Sequence, residues 1–135
     1  MEQNDAQKTP ISFKGYRIKK LEYGLDVKVS KSDIEIQYGV SKDKKLGQVT
    51  ITVNFNDESK NSHGILVVTG QFDLEDNLTE DQLHIFLGQN GAAILYPYVR
   101  SILSMITALD DNRVKILPTL NFVNLAKNNK IKREQ

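Results

Sequence analysis

Hydrophobic residues recur at every second position through much of the first half of the chain. Ile11 and Phe13 share one phase, Tyr16 and Ile18 take the opposite one, and Leu21, Tyr23, Leu25, Val27 and Val29 return to the first. Alternation is what a half-buried strand requires, because successive side chains point to opposite faces of a sheet. The phase changes near Gly15 and near Lys19-Lys20 predict bulges, which insert one residue and re-aim the strand. Gly24 offers a second parsing, in which the first strand ends there and a long connection opens. Ile34, Ile36, Tyr38 and Val40 make a second alternating run, and Val49, Ile51, Val53 and Phe55 a third. Residues 41–45 and 56–59 are polar turn chemistry flanking the third run. Residues 65–68, Ile-Leu-Val-Val between Gly64 and Gly70, are continuously apolar. They predict a central strand buried on both faces, extending through Phe72 and Leu74.

The period then changes from two to that of a helix. Thr79 followed by Gln82 fits a capping box, in which hydroxyl and amide satisfy orphan backbone groups reciprocally. Leu83, Phe86 and Leu87 recur at helical spacing before Gly88-Gln89-Asn90-Gly91, which predicts an interruption. Beyond it Leu95, Val99, Ile102, Leu103 and Ile106 form one apolar stripe. Pro97 is tolerated within a first helical turn, where its missing N–H has no partner to lose. A helix is therefore predicted from residues 92–96 to about Ala108, with Asp110-Asp111-Asn112 as its exit. Strands followed by helices give an α+β order, a four-stranded antiparallel sheet with one long helix, and not the alternation of a nucleotide-binding fold. One amphipathic helix covers only part of such a sheet, so the other face, with its own apolar alternate positions, requires a partner or a client.

At 135 residues the chain is one domain. Residues 1–10 are polar and read as a mobile arm, 11–126 as the folded domain, and 127–135 as a basic tail carrying Lys127, Lys130, Lys132 and Arg133. The 18 basic residues balance 17 acidic ones to a net charge of +1, which is no electrostatic footprint for nucleic acid. The basic cluster Lys14, Arg17, Lys19 and Lys20 and the acidic run from Asp73 to Asp81 read as solvated faces. With no cysteine, neither a disulfide nor a thiolate metal site is possible. The start of the chain carries acids and amides where a signal peptide needs a basic and then an apolar run, and no apolar stretch approaches the ~20 residues of a membrane span. The expected location is cytoplasmic, which makes the Asn77-Leu78-Thr79 sequon a chance match.

Chemistry has little to build on. His63, in a Ser/Asn/Gly loop, and His84, on the first helix, are the two histidines, a poor start for a zinc site. No Gly-x-Ser-x-Gly elbow, phosphate loop or His-Glu-x-x-His motif occurs, so neither an enzyme nor a cofactor is expected.

Two stretches carry a family resemblance. They are Ala92-Ala93-Ile94-Leu95-Tyr96-Pro97-Tyr98-Val99-Arg100-Ser101 and Ile116-Leu117-Pro118-Thr119-Leu120-Asn121-Phe122, with Leu87-Gly88 shortly before. An apolar pair, Tyr-Pro-Tyr-x-Arg, an amphipathic helix and then Pro-x-Leu-Asn resemble the SecB family of protein-export chaperones. The specific part, Leu87 to Asn121, spans about a quarter of the chain. The resemblance implies strand order 1-4-3-2, subunits joined as dimers of dimers into a homotetramer, and a long apolar groove that holds non-native polypeptide without ATP. Matched by position, the groove residues are Ile34, Ile36, Tyr38, Phe122 and Leu125. Tyr96, Tyr98, Val99, Ile102, Leu103 and Ile106 would pack the long helix, partly against its counterparts in the oligomer. Asn121 would bond backbone groups nearby.

The chain departs from the family in two places. After Asn121 it turns polar at Asn128-Asn129-Lys130, which predicts a short or absent second helix. It is also near neutral where export chaperones of this family are acidic, a property that serves docking on the translocase motor. The partners implied are unfolded polypeptides together with the translocase motor or, as in dedicated chaperones of toxin–antitoxin systems, an antitoxin. A module for one specific partner and a small-ligand binder are the alternatives.

Overall fold

A computed structural model describes residues 9–57, 62–111 and 116–134. The arm expected over residues 1–10 lies outside these except for its last two residues, and so does Asn112 of the expected helix exit. Five strands are present: β1 (Ile11–Gly24), β2 (Asp33–Val40), β3 (Leu46–Asp57), β4 (Ser62–Leu74) and β5 (Ile131–Arg133). They form one sheet in the order β1-β4-β3-β2-β5, antiparallel except that β5 runs parallel to β2. The expected four-strand order is therefore present, with one strand added at the β2 edge. That strand comes from the segment read as a basic tail, where Ile131, a lone apolar residue among cations, is buried.

The bulges fall where the alternation breaks, between Phe13 and Gly15 and between Ile18 and Lys20. At Gly15 φ is +127°, a conformation that other residues rarely adopt. β1 ends at Gly24, so Leu25, Val27 and Val29 belong to the connection rather than to the strand. Along β3, Val49, Ile51, Val53 and Phe55 are all fully enclosed on the helix side. β4 differs from expectation: Leu66, Val68 and Phe72 are buried, whereas Ile65 and Val67 on the opposite face are only half-buried. No element among the described residues covers that face. It is mostly polar, with Thr50 paired to Thr69 and Gln48 accepting from Gln71 at 3.0 Å. His63 lies in β4, not in a loop.

Thr79 caps α1 (Glu80–Leu83) with the full capping box, its hydroxyl accepting from Gln82 N at 3.1 Å while Gln82 Oε1 accepts from Thr79 N at 2.9 Å. Thr79→Ala should cost about 1 kcal/mol of stability, read as a lowered denaturant midpoint. The interruption predicted at Gly88–Gly91 does not occur. His84–Gly91 is instead a widened, π-helical stretch leading directly into α2 (Ala92–Asp111). The glycines serve close packing: a Cβ on Gly88 would stand 2.9 Å from the Tyr38 ring, and one on Gly91 3.0 Å from Val49. Pro97 consequently sits inside a continuous helix rather than in its first turn. Ala93, whose carbonyl Pro97 cannot serve, lies on the exposed side. From Glu80 to Asp110 the helical stretch is long and apolar enough to cross a bilayer by length and composition, contrary to the expectation from the sequence. Its apolar residues Leu83, Leu87, Leu95, Val99 and Leu103 are enclosed against the sheet.

The second helix, α3 (Phe122–Lys127), is short, as the polar turn at residues 128–130 predicted. Asn121 caps it, accepting from Asn124 N at 3.1 Å. At its far end Asn129 takes a left-handed conformation (φ +59°) while Lys130 N donates to Leu125 O. This helix-ending geometry turns the chain back onto the sheet as β5.

Candidate functional site

The edge of β2 is only partly covered. β5 pairs Ile131, Lys132 and Arg133 with Ile36, Gln37 and Tyr38, leaving residues 33–35 without a strand on that side. Beside this open stretch lies a groove of about 760 Å³. Its apolar lining comes from Ile34, Val53 and Phe55 of the sheet and from Leu117, Leu120 and Leu125 opposite. Lys31, Lys130 and Lys132 join Asp33 and Glu35 among its polar lining. Asp33 is held in place by Asn54 Nδ2, which donates to it at 2.8 Å. The connection preceding β2 is pinned as well, because Asn56 N donates to Ser32 Oγ and Asn56 Nδ2 to Val29 O. An apolar trough beside an unpaired strand edge suits an extended chain, which offers side chains to the trough and backbone groups to the edge.

The candidate residues fall in different places. Ile34, Ile36 and Leu125 line the groove. Tyr38 is enclosed in the core, its hydroxyl 3.2 Å from His84 Nδ1 and its ring 5.7 Å from the Arg133 guanidinium. Burial raises the Tyr38 hydroxyl above the ordinary tyrosine range despite the opposing guanidinium, so it stays neutral. Phe122 packs edge-on against Tyr96 at 5.5 Å and lines a separate depression on the far side of the link. Residues 116–120, which belong to no helix or strand, supply one wall of the groove. The signal available for that role was the cluster of Ile116, Leu117 and Leu120 around Pro118, apolar residues in a stretch with neither helical nor strand period.

The helix-packing set also divides. Tyr96, Val99 and Leu103 are buried, with the Tyr96 hydroxyl donating to Pro118 O at 2.7 Å and so fixing the link that walls the groove. Burial holds this hydroxyl above its usual range too, with Arg100 opposing. Ile102 and Ile106 are half-buried and Tyr98 is exposed. Tyr98 packs on Tyr16 (4.7 Å) and Phe13 (5.6 Å) of β1, while Tyr23 OH donates to Asp110 at 2.7 Å. Between these two anchor points Ile18 and Leu21, in register with Val68 and Leu66, are left uncovered at 49% and 39% exposure, and Met105 on α2 at 65%. Exposed apolar surface thus lies at the β1 end of the helix side, whereas the reverse face of the sheet is mostly polar.

Among the described residues no group of His, Asp and Glu could hold a metal ion. No protein-family model matches the sequence, and no curated protein does either. Solved structures do. The SecB-like chaperone Rv1957 of Mycobacterium tuberculosis, in complex with a ChAD peptide from the HigA1 antitoxin, superposes with a TM-score of 0.68 at 17% identity, covering 83% of this chain and 88% of that one. A protein of unknown function from Streptococcus agalactiae matches with a TM-score of 0.55 at 13% identity, covering 82% of this chain and 97% of the other. The chain has the α+β fold of a SecB-like chaperone, with a fifth strand added at its sheet edge.

Proposed function

We propose that this protein is an ATP-independent holding chaperone of the cytoplasm that lays extended segments of unfolded polypeptide in the β2 groove. The observation that carries the reading is the pairing of an apolar trough with the open strand edge at residues 33–35. Burying one client side chain such as Leu contributes roughly 1.5–3 kcal/mol. Ordering the segment costs about 1–2 kcal/mol per residue in backbone entropy. Segments with apolar residues at alternate positions therefore bind, and polar ones do not. Nothing in this balance uses nucleotide or a cofactor. The test is the aggregation of several unrelated, chemically unfolded clients, which the protein should delay without ATP. Failure with every client would remove the proposal.

One observation favours a narrower second reading, a dedicated chaperone for a single partner such as an antitoxin: the Mycobacterium tuberculosis neighbour holds an antitoxin peptide. Tight binding of one peptide with no protection of unrelated clients would select it. Docking on the translocase motor forms no part of the proposal.

The working unit in this proposal is a homotetramer built from dimers, formed on the β1 and α2 surface of Tyr16, Ile18, Leu21, Tyr98 and Met105. Light scattering at micromolar concentration should give a mass above that of the monomer. Ile18→Asp with Met105→Asp should shift it towards the monomer, and a monomeric wild-type protein would refute the assembly.

A further inference from the structure

The groove and β5 meet on the same strand, and their meeting has a consequence for how the groove opens. We propose that β5 is a displaceable stand-in for a client strand, occupying the Ile36–Tyr38 half of the β2 edge until an extended polypeptide takes the whole edge from Asp33 onwards. This rests on the holding function proposed above.

β5 is only three residues long, with Ile131 packed beside Gly88 and the Arg133 guanidinium 5.7 Å from the Tyr38 ring. Ile131 is its one buried residue, Glu134 N donates to Tyr38 O at 2.7 Å, and Arg133 pairs with Glu80 at an exposed site. Exposed ion pairs hold weakly. Parallel pairing is also slightly less stable per residue than antiparallel pairing. The chain reaches the edge from a helix-ending turn at Asn129, so detachment needs no other element to unfold. Lys130 and Lys132 line the groove itself, so the strand and the trough form one continuous surface. A client strand paired along residues 33–38 would gain twice the edge that β5 uses. A static cover over an otherwise sticky edge is the rival explanation.

The two differ in what happens when β5 is fixed. Gln37 and Lys132 are exposed Cα partners, and the chain has no native cysteine, so Gln37→Cys with Lys132→Cys gives a disulfide that locks β5 and that reduction frees. The probe is reduced, carboxymethylated α-lactalbumin, a permanently unfolded polypeptide. The oxidised variant should bind it at least ~10-fold more weakly than the same variant reduced, because a closed state withholds the binding-competent population. Deleting residues 131–135, or Arg133→Gln for a milder change, should strengthen binding. Equal binding by the oxidised and reduced forms overturns this inference alone and leaves the holding function standing. No binding by the wild-type protein overturns both. Deletion that raises the oligomeric mass places a second copy on the edge and also overturns it.

Discussion

Gly64→Ala should lower the free energy of unfolding by about 2–4 kcal/mol, beyond the usual range for a surface change and typical of an overpacked core. A Cβ at this position would stand 2.2 Å from Phe55 Cζ, 2.5 Å from Phe55 Cε1 and 2.8 Å from the Glu22 carbonyl oxygen. The Phe55 ring cannot simply turn aside, since it is 2% exposed and packs 5.7 Å from the Tyr23 ring. The carbonyl belongs to the backbone of β1, held by its ladder with β4. Against this, replacing a strand glycine returns only roughly 0.5–1 kcal/mol of conformational entropy. Gly15→Ala is a useful contrast. Nothing lies within 4 Å of its Cβ, so its cost comes only from the backbone at φ +127°. Chemical denaturation should show the larger midpoint shift at Gly64, and Phe55→Leu in the same chain should recover part of it. A Gly64→Ala protein as stable as wild type would mean that Phe55 does not seat over this glycine.

What the sequence revealed of the fold follows from the range of the forces involved. Bulges at Gly15 and Lys19-Lys20, the β3 core face and the Thr79–Gln82 box are local patterns, and each appears where it was expected. Gly88 and Gly91 were misread because a glycine that breaks a helix and a glycine that lets a helix touch a sheet look the same in one dimension. Only the approach of Tyr38 and Val49 separates them. β5 was hidden for a related reason. Ile131 carries no period of its own, and its strand exists because the β2 edge offers a place for it. The half-buried Ile65 and Val67 show the limit of reading a continuous apolar run as two buried faces.

The site was legible in outline. Of the residues matched by position to the SecB groove, Ile34, Ile36 and Leu125 line the trough beside β2, and their contact with a client is part of the proposal. Alternation placed Tyr38 on the same face as Ile36, yet that face turns under the π-helical stretch, where His84 and Gly88 enclose it. Phe122 was diverted to seal Tyr96. Phe55, Leu117 and Leu120 were missed as groove residues because their role depends on the link crossing back over β2 and β3, a contact distant in sequence.

Changing Ile34, Leu120 and Leu125 together to Ser should weaken binding of an unfolded client about 100-fold while the protein stays folded, the estimate being roughly 1 kcal/mol of lost burial for each half-buried aliphatic side chain. These positions suit the test because each is only partly enclosed in the free protein. Ile36 and Tyr38, though on the same strand, are each 3% exposed, so replacing them with Ser would confound lost binding with lost stability. Leu46→Ser provides the control, as an exposed apolar residue at the start of β3, at the other end of the β2–β3 pair and outside the groove. Client affinity, measured by fluorescence titration, should fall only for the groove variant, and thermal unfolding should show both variants folded. A folded triple variant that holds clients as tightly as wild type would move the binding surface elsewhere, with the exposed β1 and α2 patch as the next place to look.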